Sequence, residues 1–186
     1  NNAYSKDISV LSSLIASDIY DEVYIEITDG AVKGGNDTAT TFGSLIGLKD
    51  VKHIKVSSSS YSVDKDDVTD FIIGHRNIVH NGVEQEVIVV SVRGTNSTNA
   101  EWSSNFDVGS KDEAYWDHDN PEWTNKKHHK GFDVTANRCY ELIQEYISNG
   151  IETGKISATA NKSIFITGHS RGAAISNLLG KIYEDD

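Results

Sequence analysis

One cysteine, one proline, no methionine and too few basic residues say first what this chain is not. A single thiol, Cys139, cannot close an internal disulfide, so the fold must rest on packing rather than on a disulfide framework. That fits a cytosolic protein and a secreted bacterial one equally. With one proline there is no Pro-rich linker to divide the chain, and 186 residues suit one domain with a real core, or part of one. Seventeen Lys and Arg stand against 28 Asp and Glu, a net charge of −11. That balance argues against a nucleic-acid partner and disfavours purely electrostatic docking on anionic headgroups. No apolar run approaches the roughly 20 residues needed to span a bilayer; the longest, residues 87–90, is strand-sized. The chain opens on Asn1 without an initiator Met, which suggests processing or trimming; secretion is the favoured localisation and the cytoplasm the alternative.

The apolar content, 37% against 24% charged, is that of a folded chain, and its periodicity places elements. Ile8, Leu11, Leu14, Ile15 and Ile19 lie at helical spacing over residues 7–20, with Asp7 as N-cap. Residues 22–27 suit a short strand, residues 30–41 a loop, and residues 41–48 a short helix. Val51, Ile54 and Val56 suggest a strand ending in the serine run 57–60. Residues 69–76 and 85–93 are β-rich, and Asn81-Gly82 between them is a strong hairpin signal. The run Val87-Ile88-Val89-Val90 suits a central strand buried on both faces. Residues 108–128 are polar and loop-like. A helical stripe of Phe132, Ala136, Cys139, Tyr140, Ile143, Tyr146 and Ile147 follows, with Asn149-Gly150 as its stop. Residues 163–167 read as a buried strand and residues 171–183 as a helix with Ala174, Leu178 and Ile182 on one face. This alternation predicts an α/β fold with a largely parallel sheet.

Chemistry concentrates at Gly168-His169-Ser170-Arg171-Gly172, a G-x-S-x-G pentapeptide set between the last strand and the last helix. Such a turn lifts a serine clear of the sheet, and glycines two residues before and after it avoid collision. The following helix offers its first N–H groups to a developing oxyanion. An idle serine in a tight structural turn is the alternative reading.

The segment from Ile164 through Thr167-Gly168-His169-Ser170-Arg171-Gly172-Ala173-Ala174 resembles the nucleophile segment of the class 3 lipases, where T-G-H-S-L-G-G-A is usual. Val90-Ser91-Val92-Arg93-Gly94-Thr95, followed by Trp102 and Asp107, resembles the family's strand ending in R-G-S/T, and His129-Lys130-Gly131-Phe132 its H-x-G-F helix start. The resemblance covers about half the chain and points to the N-terminal part of a bacterial member. Arg171 replaces the usual Leu and Ala173 the usual Gly. The resemblance implies an α/β-hydrolase fold, mostly parallel with flanking helices and incomplete at the C-terminus. It implies a carboxylic-ester hydrolase of triacylglycerol-lipase type working through a Ser170 acyl-enzyme. The oxyanion would be held by the backbone N–H groups of Thr95 and Arg171, with the Thr95 hydroxyl assisting; alternatively Thr95 is only a strand-closing turn residue. Arg171 would also alter the polarity near the acyl site. A lid would fall at residues 96–106, with Trp102 and Phe106 as its apolar side chains, unless this is a surface helix with Trp102 packed inward. His169 is expected to pack beneath the turn and His129 to serve a structural hydrogen bond. The pair His128-His129 lacks metal-ligand spacing, and neither a metal nor another cofactor is implied.

The α/β-hydrolase order is serine, then acid, then histidine. Sixteen residues follow Ser170, among them Glu184, Asp185 and Asp186 but no histidine. The base and acid are therefore expected in a further, strand-rich segment, or in a second chain left by a nick; recruitment of an earlier histidine such as His118 is the third alternative. Residues 1–186 alone are expected to turn esters over poorly. The implied substrate is an acyl-ester lipid or a small ester, with transient contact at a lipid interface. Competing functions on the same scaffold are a phospholipase, a feruloyl-type esterase, an acyltransferase, or a non-catalytic module that binds a partner.

Overall fold

The structure, a computed structural model, describes residues 6–19, 27–28, 31–32, 43–44, 46–57, 68–95 and 130–185. In chain order these form α1 (Lys6–Asp18), β1 (Ile27–Thr28), β2 (Ala31–Val32), β3 (Lys49–Ser57), β4 (Val68–His80), β5 (Val83–Val92), α2 (Lys130–Glu152), β6 (Asn161–Gly168) and α3 (Arg171–Asp185). β1 and β2 pair antiparallel, so the expected loop from residue 30 begins with a short strand instead. Residues 22–26 of the expected first strand lie outside the described residues, as do residues 108–128.

The main sheet has the order β3-β4-β5-β6. β4 and β5 form the anticipated hairpin: His80 pairs with Val83 across Asn81-Gly82, whose φ values of 52° and 77° are both positive. Two positive φ angles are what a two-residue turn needs to match the twist of its strands. A turn that short enforces an antiparallel pair, and β3 joins β4 antiparallel as well. Among the described strands only β5 and β6 run parallel. The described sheet is thus mixed, with two antiparallel pairings to one parallel, and not largely parallel.

Side chains alternate across strands, and the two faces of this sheet differ. One face carries Phe71, Ile73, Ile88, Val90 and Val92, all with no exposure, beneath Ala136, Cys139 and Ile143 of α2 and Ile175 and Leu179 of α3. Each of the larger side chains contributes about 1.5–3 kcal/mol of burial. The other face carries His53, Asp70, Ser91 and Arg93, with a small apolar group of Ile19, Ile72 and Val51, and receives α1. The Ser91 hydroxyl reaches the Ile15 carbonyl at 3.4 Å and the Thr167 hydroxyl the Ser12 carbonyl at 3.5 Å.

Several element boundaries depart from expectation. The described part of α1 begins at Lys6, so Asp7 stands within the helix and not at the position before it. It buries Ile15 and Ala16 but leaves Leu11 and Leu14 exposed, because its apolar surface is wider than the strip that meets the sheet. The expected short helix near residues 41–48 does form: residues 43 and 44 are helical, and the chain leaves them through Gly47 N–H to Ser44 O and Leu48 N–H to Gly43 O. α2 runs through Asn149-Gly150 to Glu152 and stops at Gly154, whose φ is 69°. Gly150 is a packing residue instead: a Cβ there would stand 2.5 Å from Ile156 Cδ1, and Ile156 is buried. On α3 the fully buried positions are Ile175 and Leu179, with Ala174, Leu178 and Ile182 half-buried beside them.

Candidate active site

β6 ends at Gly168 and α3 begins at Arg171, leaving His169 and Ser170 to turn the chain. Ser170 has a φ of 55° and is exposed. A non-glycine residue in that region costs on the order of 1–3 kcal/mol and persists only where its surroundings impose it. Here they do. Gly172 N–H donates to His169 O at 2.9 Å, and the N–H groups of Ala173 and Ala174 donate to Ser170 O at 3.0 and 3.3 Å. The Ser176 hydroxyl lies 2.7 Å from Gly172 O and 2.9 Å from Thr167 O, joining the first turn of α3 to the last residues of β6.

Both glycines of the pentapeptide are sterically required. A Cβ on Gly168 would lie 2.5 Å from Gly172 O, and a Cβ on Gly172 would lie 2.1 Å from Val92 O and 2.8 Å from the carbonyl carbon and oxygen of Arg93. The start of α3 therefore rests directly on the backbone that leaves β5. Val92 is the register partner of Gly168, so the segment 93–95 and the turn at 169–171 emerge side by side from adjacent parallel strands. Gly94 is buried and Thr95 half-buried.

His169 is exposed at the lip of the sheet and is not packed beneath the turn. The Arg171 side chain is buried, with its charge within reach of Cys139 on α2. Burial pushes the Cys139 thiol up to about 12, against the opposing pull of Arg171 and Arg138, so this cysteine is not a nucleophile at neutral pH. Glu184 and Asp185 sit in the last turn of the helix that Ser170 precedes, and Glu184 pairs with Lys181 at 3.2 Å. Among the described residues no side chain hydrogen-bonds to the Ser170 hydroxyl, and none form a cluster suited to a metal ion. Trp102, Phe106, Asp107, His118, His128 and His129 lie outside the described residues.

The structure adds residues that sequence reasoning missed. Asp70, on β4, has no exposure; its carbonyl accepts the Arg93 N–H at 2.8 Å and its carboxylate Oδ2 lies 2.6 Å from Arg93 Nη1. His53 Nε2 stands 3.7 Å from the same oxygen. In the sequence Asp70 is one acidic residue among several before an apolar run, and nothing in its spacing marks it as buried.

No curated protein and no solved structure gives a match to this chain. Residues 89–185 match the family model described as lipase (class 3), a family that implies an α/β-hydrolase fold. That stretch is just over half the chain, and it runs from within β5 to the end of α3. It takes in both backbone segments that meet at Gly172, and the chain belongs to the class 3 lipase family, with the general chemistry of a lipase- or esterase-type hydrolase.

Proposed function

We propose that this protein is a carboxylic-ester hydrolase of triacylglycerol-lipase type, with Ser170 as its nucleophile. The observation that carries this reading is an exposed serine held at a φ of 55° between a parallel strand and a helix. The Ser170 oxygen attacks the ester carbonyl while a histidine base takes its proton. The tetrahedral intermediate collapses with cleavage of the acyl C–O bond, and the alcohol leaves with that proton. Water then attacks the acyl-enzyme, releasing the acid and restoring the serine. The transient oxyanion is held by the backbone N–H groups of Arg171 and Thr95, each worth about 3–4 kcal/mol in the transition state. In support, Gly172 brings the two donor segments into contact.

In the full-length protein, Ser170→Ala is expected to lower p-nitrophenyl ester hydrolysis by about 10⁴-fold or more, with an unchanged circular dichroism spectrum. Undiminished hydrolysis would remove Ser170 from the mechanism.

A further inference from the structure

Arg93 is held from two sides. On one side lies the first turn of α3, where Gly172 approaches so closely that a Cβ would stand 2.8 Å from the Arg93 carbonyl. On the other lies Asp70, which takes the Arg93 main chain through its carbonyl at 2.8 Å and the Arg93 side chain through its carboxylate at 2.6 Å. Both side chains are almost completely removed from water, at 4% and 0% exposure. Burying such a pair is a poor way to gain stability, because desolvation cancels most of the attraction and an apolar pair of similar size does as well. What an ion pair adds is a defined geometry, and this one fixes the residue from which Gly94 and Thr95 depart.

We propose that Asp70, acting through Arg93, is a positioning residue that holds the segment 93–95 against the start of α3 and so sets the spacing of the two oxyanion donors. This inference rests on the reading of Ser170 and of the Thr95 and Arg171 N–H groups given above. Asp70 touches no reacting atom. Its effect belongs to the transition state, because a ground-state ester carbonyl gains far less than an oxyanion from well-placed donors. His53 Nε2 on β3 stands 3.7 Å from the same carboxylate oxygen, beyond hydrogen-bond distance, so the close contact of the carboxylate is the one with Arg93.

The test uses Asp70→Asn in the full-length protein, with a short p-nitrophenyl ester as substrate. Rates are normalised to the fraction of active sites titrated by a fluorophosphonate, so that unfolded protein does not count. The expected result is a fall in kcat of about 10- to 100-fold with KM within about twofold. A trifluoromethyl ketone, which adds the serine and forms an oxyanion, should lose affinity by the same factor, while a non-hydrolysable ether analogue of the substrate should not. An unchanged normalised kcat would overturn the proposal, as would equal losses for the ketone and the ether. Should Asp70→Asn fail to fold, the double variant Asp70→Leu/Arg93→Met removes both buried charges together. It is expected to fold and to show the same kcat loss, and wild-type kcat in it would overturn the proposal. Ser170→Ala separates the two levels: if it abolishes hydrolysis while Asp70→Asn leaves normalised kcat untouched, only the positioning role falls.

Discussion

The β4–β5 hairpin carries two buried acid–base pairs, one toward each end and on opposite faces of the sheet. Near the candidate site, Asp70 meets Arg93 on the α1 face. Toward the turn, His75 meets Glu86 on the face covered by α2 and α3, with Nδ1 to Oε1 at 2.7 Å. The second pair is the better satisfied: the other Glu86 oxygen accepts the Ser157 N–H at 3.2 Å, and the His75 ring packs edge-on to Tyr146 at 6.5 Å between centroids. Burial alone would raise the Glu86 carboxyl, but the His75 hydrogen bond, the Ser157 N–H and the His75 charge together hold it below the usual carboxylate range. Asp70, by contrast, has neither carboxylate oxygen in a hydrogen bond among the described residues, and Oδ2 meets Arg93 only as a close ion pair. The better-bonded pair ties the hairpin to the connection after α2. An incompletely bonded pair sits where the backbone must hold a geometry that stability alone does not select.

Substitutions at the two ends should therefore part company. The largest effect is expected at Gly172→Ala, where the new methyl group meets backbone rather than a side chain that can move. It should destabilise by about 3 kcal/mol and reduce ester hydrolysis by at least about tenfold, read by thermal melting and initial rates. Next comes Glu86→Gln, which should cost about 2–3 kcal/mol and leave kcat unchanged; a loss of kcat at constant fold would break the contrast between the two pairs. The same variant has a pH signature. Because Glu86 titrates lower in the folded than in the unfolded protein, its contribution is present above the unfolded value and is lost as pH falls through the lowered folded value. Urea melts between about pH 5 and pH 3 should show wild-type stability falling more steeply than that of Glu86→Gln. The smallest effect is expected at Gly82→Ala, about 1 kcal/mol. Its φ of 77° is the only obstacle, since a Cβ there would touch nothing, and activity should not change.

What was legible in the sequence was local. The G-x-S-x-G turn and the Asn81-Gly82 hairpin each need a few neighbouring residues with particular backbone freedom, and each formed as expected; the strand before Ser170 formed too, but half-buried rather than buried, with residues 161–163 exposed. Strand direction was not legible, because β3 and β4 pair across residues 58–67, and an apolar run looks the same whichever way its neighbour points. The stop of α2 was misplaced because Asn149-Gly150 carries the composition of a helix end while its glycine answers a distant contact with Ile156. Asp70 and His53 were invisible for a related reason: a buried charge is recognised by its partner, and Arg93 stands 23 positions beyond Asp70 in the chain.

The most direct measurement is covalent labelling of the full-length protein with a fluorophosphonate, followed by mass mapping of the modified peptide. The expected adduct is a single one on Ser170, absent from Ser170→Ala and formed more slowly in Asp70→Asn. A folded protein that takes up no label, or takes it up on a different residue, would contradict the assignment of an activated nucleophile to the turn between β6 and α3.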